Sequence, residues 1–402
     1  MLMPNLSNLK ESLKESYGRL RSDAYLTLYS ALSIVYIYQF FNYNILLGRT
    51  IDPNLTLFIL DVSFFSAIFF LILGAILDQF FRKKVHLLWN LIGALFATII
   101  FIPLDGMVSA VLFAILGGFS ASLAIPGIIS KIIGITTFEN RGSTAGLFIF
   151  FVYALVFSTS IFINSAYSLA IVLITIKLIN AALVILRKPK DATNDDAALM
   201  APFAMSSKLA FLAVWGIFLL VDILASNSAS QLLPKETLSM IVLQSIALGF
   251  ASMLLGGWLM DHYGRKKLMV YSYAYLGIEY AIISVTRGGI IAYTFIDGIA
   301  WGILSVLFIM VLWGDIIRER ERPIYISIAF SITIASLFFK NFLSLSGINL
   351  SIDQTFPSTS IFLFFAVILT LFLPETLPDK IMHGKELKDY LEQAKKIKEK
   401  FK

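Results

Sequence analysis

One sequence motif occurs twice in this chain, and its two copies lie almost half the chain apart. Residues 74–84 read Gly-Ala-Ile-Leu-Asp-Gln-Phe-Phe-Arg-Lys-Lys, and residues 257–267 read Gly-Trp-Leu-Met-Asp-His-Tyr-Gly-Arg-Lys-Lys. Asp78 and Asp261 are therefore 183 positions apart (261 − 78) in a chain of 402 residues. A repeat of this period, with each copy between two apolar runs, predicts two homologous membrane halves.

The composition is that of a protein in lipid. Hydrophobic residues make up 58% of the chain, charged residues make up 14%, and the mean hydropathy is +0.82, which is far from the balance of a soluble domain. Because a helix needs about 20 apolar residues to cross a bilayer, the apolar runs predict about twelve membrane helices. We place them at residues 24–47, 55–77, 85–102, 106–129, 143–163, 166–186, 208–230, 237–260, 268–286, 289–313, 323–343 and 358–373. The predicted fold is all-α and integral to the membrane, with two pseudo-symmetric six-helix bundles.

Polar segments divide the chain into five parts. Residues 1–23 form an N-terminal segment, 24–187 the first bundle, 188–207 a polar linker, 208–373 the second bundle and 374–402 the tail. In the tail, apolar residues recur at helical spacing among lysines, which predicts an amphipathic helix against the headgroups or the bundle.

The distribution of basic residues predicts the orientation. With both termini in the cytoplasm, about 27 of the 32 Lys and Arg residues lie in cytoplasmic segments, as expected for a multi-pass protein of the cytoplasmic membrane. The net charge of +6 then reflects topology and attraction to anionic lipids rather than nucleic-acid binding.

The paired Gly-x-x-x-Asp-x-x-x-Arg-Lys-Lys loops resemble the cytoplasmic loop signature of the major facilitator superfamily, which follows the second and eighth helices. The closing Pro374-Glu375-Thr376 and the seven-residue spacing of Asp315 and Arg322 loosely resemble the sugar-porter and metabolite-symporter branch. The first loop departs from the signature, because Phe81 stands where a glycine usually precedes the basic run. The geometry of that turn is therefore open.

The resemblance implies a cytoplasmic gate, formed where helix ends bring acids and arginines together. We predict that these residues stabilise the state closed to the cytoplasm. The alternative is that the charges are solvated residues of the inner face. The predicted gating residues are Gly74, Asp78, Arg82, Arg141, Gly257, Asp261, Arg265, Asp315 and Arg322.

Ionisable residues within the predicted spans are the next candidates, since each costs about 2.5–3.5 kcal/mol at a helix centre. Asp222 and Asp297 fall on the seventh and tenth spans, which line the cavity in the family, and we predict that they bind protons or substrate. A paired structural carboxylate is the alternative. We also predict an outer salt bridge between Asp61 and Lys340, unless Lys340 extends to the headgroups.

Other polar residues in the spans have weaker assignments. Lys177 and Glu279 fall on the sixth and ninth spans, which are peripheral in the family, so structural pairing or extension to the headgroups is expected. Neutral side chains that suit hydroxyls or amides of a ligand extend the predicted binding site, although such residues also join helices to each other. These candidates are Gln39, Asn42, Asn227, Gln244 and Trp301.

The sequence predicts neither an enzyme nor a cofactor. Its three histidines lie near the cytoplasmic edges, no metal-ligand spacing occurs, and no phosphate-binding loop is present. The resemblance instead implies a monomeric secondary transporter that moves a small polar solute, such as a sugar or organic acid, by proton-coupled alternating access. Drug or metabolite efflux by proton antiport is the alternative, and a non-transporting membrane receptor or sensor is a third.

Overall fold

The computed structural model describes residues 6–47, 53–99, 107–163, 165–187, 203–229, 235–286, 290–345 and 352–400. Within these ranges the protein is all-α. Side chains at 41–47, 53–56 and 222–248 and at several other helical positions, among them Arg82 and Lys340, lie outside the description. The first part of the predicted linker, residues 188–202, also lies outside the described residues.

Every predicted span has a helix in the described residues. The helices of the first half are α1 (Leu6–Ser22), α2 (Ala24–Leu47), α3 (Pro53–Ile99), α4 (Met107–Ser122), α5 (Ile125–Gly134), α6 (Arg141–Ile161) and α7 (Ala166–Leu186). Those of the second half are α8 (Met205–Ala229), α9 (Lys235–Tyr263), α10 (Arg265–Val285), α11 (Ile290–Val306), α12 (Leu312–Ile316), α13 (Arg322–Leu345), α14 (Ile352–Phe372) and α15 (Asp379–Lys400). A π-helical turn, Leu307–Val311, connects α11 to α12.

Four of the predicted spans take a form that the apolar runs alone did not predict. Helix α3 contains the second and third spans, joined at a kink at Phe81. The fourth span is divided into α4 and α5, with Pro126 in the first turn of α5, where its missing N–H costs no hydrogen bond. The tenth span is α11, the π-helical turn and α12 in succession.

The two copies of the repeated motif differ in their turn geometry. Gly264 in the second copy has φ = 95°, a left-handed conformation that side chains with a Cβ rarely adopt. Phe81 occupies the equivalent position of the first copy and has φ = −130° and ψ = 30° instead. The missing glycine therefore has a structural consequence, because the first turn cannot take the conformation of the second.

The two halves pack against each other through two equivalent pairs of helices. In each pair, one half contributes its fifth helix and the other half contributes its second. Helix α6, the fifth span, packs against α9, the eighth, while α13, the eleventh span, packs against the second span in α3. Within the halves, α3 packs against α4 and α7, and α10 packs against α11 and α14. This arrangement is the pseudo-symmetry that the sequence repeat predicts.

Helices α6 and α9 cross with their backbones in close contact. A Cβ on Gly257 would overlap the carbonyl oxygen of Gly142, and a Cβ on Gly142 would overlap the carbonyl oxygen of Gly257. A Cβ on Gly146 would likewise overlap the carbonyl oxygen of Met253. Small residues at these three positions bring the two backbones into direct contact, as is typical of membrane helices.

The outside of the bundle is suited to lipid. Eight helices in the described residues are long and apolar enough to cross a membrane, and many large apolar side chains on them are exposed, such as Phe69, Leu112, Ile171 and Phe362. Large apolar surfaces of this kind are unfavourable in water and favourable in hydrocarbon. The protein is therefore a multi-pass membrane protein.

Candidate functional site

Four of the predicted gating residues form one buried acid–base cluster, whose members are Arg141, Asp261, Arg265 and Asp315. Arg322, at the start of α13, is a fifth buried gating residue, and each of the five is at most 5% exposed. We call the side of the bundle on which they lie the basic face. Burial excludes the alternative of solvated charges for these five residues, although Lys83, Lys84 and Lys267 of the two loops are exposed and fit that interpretation.

Asp315 lies between two arginines. Its Oδ1 pairs with Nη1 of Arg141 from the first half, and its Oδ2 lies 3.1 Å from Nε of Arg265. The Thr376 hydroxyl also donates to Oδ2, at 2.9 Å. Ion pairs with two guanidinium groups and a hydrogen bond from a hydroxyl offset the cost of burying this carboxylate.

Asp261 binds the N-terminus of α6 across the boundary between the halves. The N–H of Gly142 donates to its Oδ1 at 2.9 Å, and the N–H and hydroxyl of Ser143 both donate to its Oδ2 at 2.7 Å. Arg265 adds a bond from Nη2 to Oδ1 at 3.1 Å. The first N–H groups of a helix have no partners within the helix and carry its positive end, so a carboxylate from another element stabilises them.

Two arginines extend the connection between the halves. Nη2 of Arg265 donates to the carbonyl oxygen of Phe138 at 2.8 Å, and Nη1 of Arg322 donates to the carbonyl oxygen of Ser130 at 3.3 Å. Both carbonyls belong to the first half and both arginines to the second. The basic face is therefore held together by buried polar contacts at several points.

The first copy of the motif makes different contacts. Asp78 is buried, and its Oδ1 lies 2.8 Å from Nε2 of His86, within the same half. The side chain of Arg82, also predicted to act in gating, lies outside the described residues. The predicted gate is thus asymmetric in its described contacts.

The sequence at the start of α13 explains this asymmetry. The second and third residues of α6 are Gly142 and Ser143, whereas those of α13 are Pro323 and Ile324. Proline has no N–H, and the Ile324 N–H already donates to the carbonyl oxygen of Glu321. Helix α13 therefore lacks the three donors that α6 offers to Asp261.

Glu375 caps α10 at the second copy. Its Oε1 accepts from the N–H of Arg265 at 2.9 Å, and its Oε2 accepts from the N–H of Lys266 at 3.2 Å. The Pro-Glu-Thr segment thus contributes two residues next to the cluster: Glu375 accepts from the N-terminus of α10, and Thr376 donates to Asp315.

Helix α1 lies over the start of α6, a contact that the sequence reasoning missed. The Ser12 hydroxyl donates to Oγ of Ser143 at 2.8 Å, and Asn140 Nδ2 donates to Oε1 of Glu15 at 2.8 Å. Oγ of Ser16 lies 3.2 Å from that of Thr144. Serine and glutamate are found on solvent-exposed helices in general, so their presence in α1 did not indicate a contact with α6.

The contact of α1 with α6 predicts a disulfide. Because Oγ of Ser12 and Oγ of Ser143 lie 2.8 Å apart, cysteines at both positions are expected to cross-link under mild oxidation. The natural chain has no cysteine, so a protease site inserted after α1 makes the cross-link visible as uncleaved mass on a denaturing gel. The Tyr17→Cys, Ser143→Cys pair is the control, since Tyr17 is exposed. Equal cross-linking of both pairs would contradict the docking of α1.

The predicted binding residues are only partly described. The side chains of Asn42, Asp222, Asn227 and Gln244 lie outside the described residues. Gln39 is fully buried, and its Nε2 donates to Thr159 and Ser160 on α6 at 2.8 Å each. The structure therefore places Gln39 in a contact between helices, which was the alternative to ligand binding.

Asp297 and Trp301 are described, and both are half-buried on α11. They lie four residues apart, on one face of that helix. The Trp301 ring packs on Phe218 of α8, with 4.9 Å between the centroids. Asp297 and Trp301 remain candidates for the binding site.

The predicted outer salt bridge lies partly outside the described residues, since the side chain of Lys340 is not described. Asp61 is half-buried. Four residues after Asp61 and two residues before Lys340, the rings of Phe65 and Phe338 are in contact, with 4.8 Å between the centroids. The two helices thus meet close to the predicted pair.

The architecture is shared with solved transporter structures. Human MFSD10, an organic anion transporter, gives a TM-score of 0.61 at 13% identity, over 88% of this chain and 99% of that one. The proton:xylose symporter XylE gives 0.61 at 12% identity, over 92% and 97%. The Escherichia coli fucose:proton symporter FucP gives 0.61 at 15% identity, over 89% and 99%.

At these sequence identities the structural comparisons show a shared fold and nothing more. No family model matches the chain, and no curated protein matches it in sequence. The structural likeness nevertheless covers nearly all of each chain, and it agrees with the repeated loop motif and with the exchanged packing of the two halves. This chain has the fold of the major facilitator superfamily.

Proposed function

We propose that the protein is a secondary transporter that moves a small polar solute across the cytoplasmic membrane by alternating access. The observation that carries this proposal is the closure of the basic face by Asp261 on the N-terminus of α6. Hydrogen bonds and ion pairs of this kind can be exchanged for water when the halves separate, whereas a continuous apolar interface resists opening. The basic face is then the cytoplasmic side, and both termini lie in the cytoplasm.

In this proposal the acid–base cluster is the cytoplasmic gate. The state described here is closed on that side, because Arg141, Asp261 and Asp315 are buried in contacts between the halves. The close crossing of Gly142 and Gly257 makes part of the same closure. Opening would hydrate the three charges and separate the two glycines.

Proton-coupled uptake is the direction and coupling that we propose. The half-buried carboxyl of Asp297 on α11 is the described candidate for the coupling site, together with Asp222. Two of the structurally similar proteins are proton symporters for sugars, and the third transports organic anions. These names support a sugar or an organic acid as the solute, and the protein is proposed to act as a monomer.

Flux into liposomes tests the proposal. Purified protein in liposomes with an alkaline interior is offered a panel of radiolabelled sugars and organic acids. For one proton moved with each neutral solute molecule, one pH unit across the membrane is expected to support about tenfold accumulation. Asp297→Asn is the variant and Asp379→Asn, on the exposed start of α15, is its matched control.

The outcomes separate the three functions. Accumulation that collapses with a protonophore, and is reduced in Asp297→Asn but retained in Asp379→Asn, supports proton-coupled uptake. Loss of preloaded solute against an inward proton gradient would favour efflux by antiport. Absence of any flux for solutes that nevertheless raise the melting temperature of the protein would contradict transport and favour a receptor or sensor.

A further inference from the structure

A column of buried polar side chains crosses the interior of the first half. Tyr29, Ser33 and Tyr36 lie at spacings of four and three residues on one face of α2, and each is at most 4% exposed. Side chains of α3, α4 and α7 meet this face. The column runs from the basic face inward.

At the basic face the column begins with two ionisable side chains. Nε2 of His86 lies 2.8 Å from Oδ1 of Asp78, and Nδ1 of His86 lies 2.9 Å from the Tyr29 hydroxyl. Asn90 Nδ2 donates to the same hydroxyl at 3.4 Å. A histidine between a carboxylate and a hydroxyl can accept a proton on one nitrogen and release one from the other.

In the middle of the column, two amides face inward. Asn180 Nδ2 donates to the Ser33 hydroxyl at 3.1 Å. The amide oxygens of Asn180 and Asn90 are buried, and neither accepts a hydrogen bond from any described residue. Because buried amide oxygens are almost always satisfied, we expect ordered water on these two acceptors.

At its inner end the column reaches a lysine in an aromatic cage. Nζ of Lys177 lies 3.1 Å from the centroid of the Trp89 ring and 3.9 Å from that of the Tyr36 ring. It donates to the carbonyl oxygen of Ser120 at 2.9 Å, and the hydroxyl of Ser120 is bonded to that of Tyr36. Aromatic faces and a carbonyl oxygen stabilise an ammonium, whereas burial opposes its charge.

Lys177 is fully buried, so extension to the headgroups, which the sequence left open for it, is wrong. None of the ion pairs among the described residues includes it. Its stem fills the space beside Gly93, where a Cβ would lie 2.6 Å from Cε of Lys177. The structural pairing that the sequence also left open is not found as an ion pair among the described residues, where two aromatic rings and a carbonyl oxygen surround the amine.

We propose that Lys177 is a proton-binding site of the first half, loaded from the basic face through the polar column. The fully buried cage has no surface for a solute, whereas a proton can travel along hydrogen-bonded groups and water. A proton taken up by the His86–Asp78 pair passes by Tyr29 and the water at Asn90 and Asn180 to the lone pair of the Lys177 amine. The product is the ammonium, held by Ser120 and the two rings, and release follows the same path in reverse.

The surroundings of the amine assign the titration to Lys177. Among the described residues in contact with its Nζ, α2 contributes Tyr36, α3 contributes Trp89 and α4 contributes the Ser120 carbonyl. Of these three groups only the Tyr36 hydroxyl is titratable. For its use this inference rests on the proposed transport, in which Lys177 would supply a proton site of the first half in addition to Asp222 or Asp297 in the second.

Fluorescence of Trp89 tests the proposal without any solute. The purified protein in lipid nanodiscs is titrated with acid and base, and the same titration of Trp89→Phe is subtracted to isolate the emission of Trp89. An ammonium 3.1 Å from the indole polarises it differently from a neutral amine, so a pH-dependent transition is expected. Lys177→Met keeps the unbranched stem beside Gly93 and is expected to abolish the transition.

A second variant tests the path. Tyr29→Phe removes one hydroxyl and keeps the ring. After a pH jump the Trp89 signal is expected to relax about 100-fold more slowly in this variant, with the same midpoint. An unchanged rate would overturn loading through the column.

Two further results would overturn the site itself: the absence of a transition in the natural protein, or its persistence in Lys177→Met. Neither depends on transport, which the liposome assay measures separately. A clear transition with no solute flux would contradict the proposed transport and support the proton site. Solute flux without a transition would support transport and contradict the proton site.

Discussion

Asparagine in place of Asp261 is expected to open the basic face. The carboxylate accepts from Gly142, Ser143 and Arg265, and an asparagine amide turns one of its two acceptor positions into a donor that faces other donors. Removing one charge from a buried pair costs about 3–5 kcal/mol. We therefore expect the closed state to lose about 100-fold or more in population relative to the open one.

A single cysteine reports this shift. Ser130 is buried at the contact between α5 and Arg322. Because the natural chain contains no cysteine, a cysteine at this position is the single thiol of the variant. In Ser130→Cys, a membrane-impermeant maleimide is expected to react slowly, and the reaction should accelerate by about 100-fold when Asp261→Asn is added.

Asp78→Asn is the matched control in the same cysteine background. Its described bond runs to His86 in its own half, and the start of α13 offers Pro323 and Ile324 in place of the donors of α6. A much smaller acceleration is expected. Equal acceleration in the two variants would contradict the asymmetric gate.

Alanine in place of Gly74 is expected to disrupt the first half. A Cβ at this position would overlap the carbonyl oxygen of Leu123 and lie 2.7 Å from its carbonyl carbon. Backbone atoms cannot move aside as a side chain can, so α3 would have to separate from the break between α4 and α5. Forced overpacking costs about 1–3 kcal/mol or more, and a fall in melting temperature of several degrees in detergent is expected.

Gly18→Ala is the control for that substitution. Gly18 lies in α1 with nothing within 4 Å of an added Cβ, so alanine is expected to leave stability unchanged or to raise it by up to about 1 kcal/mol through helix propensity. If both variants melted at the temperature of the natural protein, the close approach of Gly74 to Leu123 would be refuted.

The sequence alone predicted the architecture, because apolar length is a direct requirement of the bilayer. The spans at residues 143–163 and 166–186, for example, correspond closely to α6 (Arg141–Ile161) and α7 (Ala166–Leu186). The departure at Phe81 also had a local cause that could be read in advance, since side chains with a Cβ rarely take the conformation of Gly264.

The contacts between distant residues could not be predicted in the same way. The spacing of the motif gave Asp78 and Asp261 the same expected role, because it contains no information on which N–H groups each would meet. That difference arises because α6 begins with Gly142 and Ser143, whereas α13 begins with Pro323 and Ile324. All four residues lie more than 60 positions from either aspartate. Lys177 was placed by its span at the periphery, whereas its long stem carries the amine inward to Trp89 and Tyr36.

The unequal starts of α6 and α13 bear on how the duplicated halves have specialised. The first half now contributes the donors, Gly142 and Ser143, and the second half contributes the acceptor, Asp261. Two fused copies of the second half would retain both aspartates, yet each would face a proline. The two halves of the repeat therefore have different roles in this contact, one as donor and one as acceptor, and neither half could replace the other.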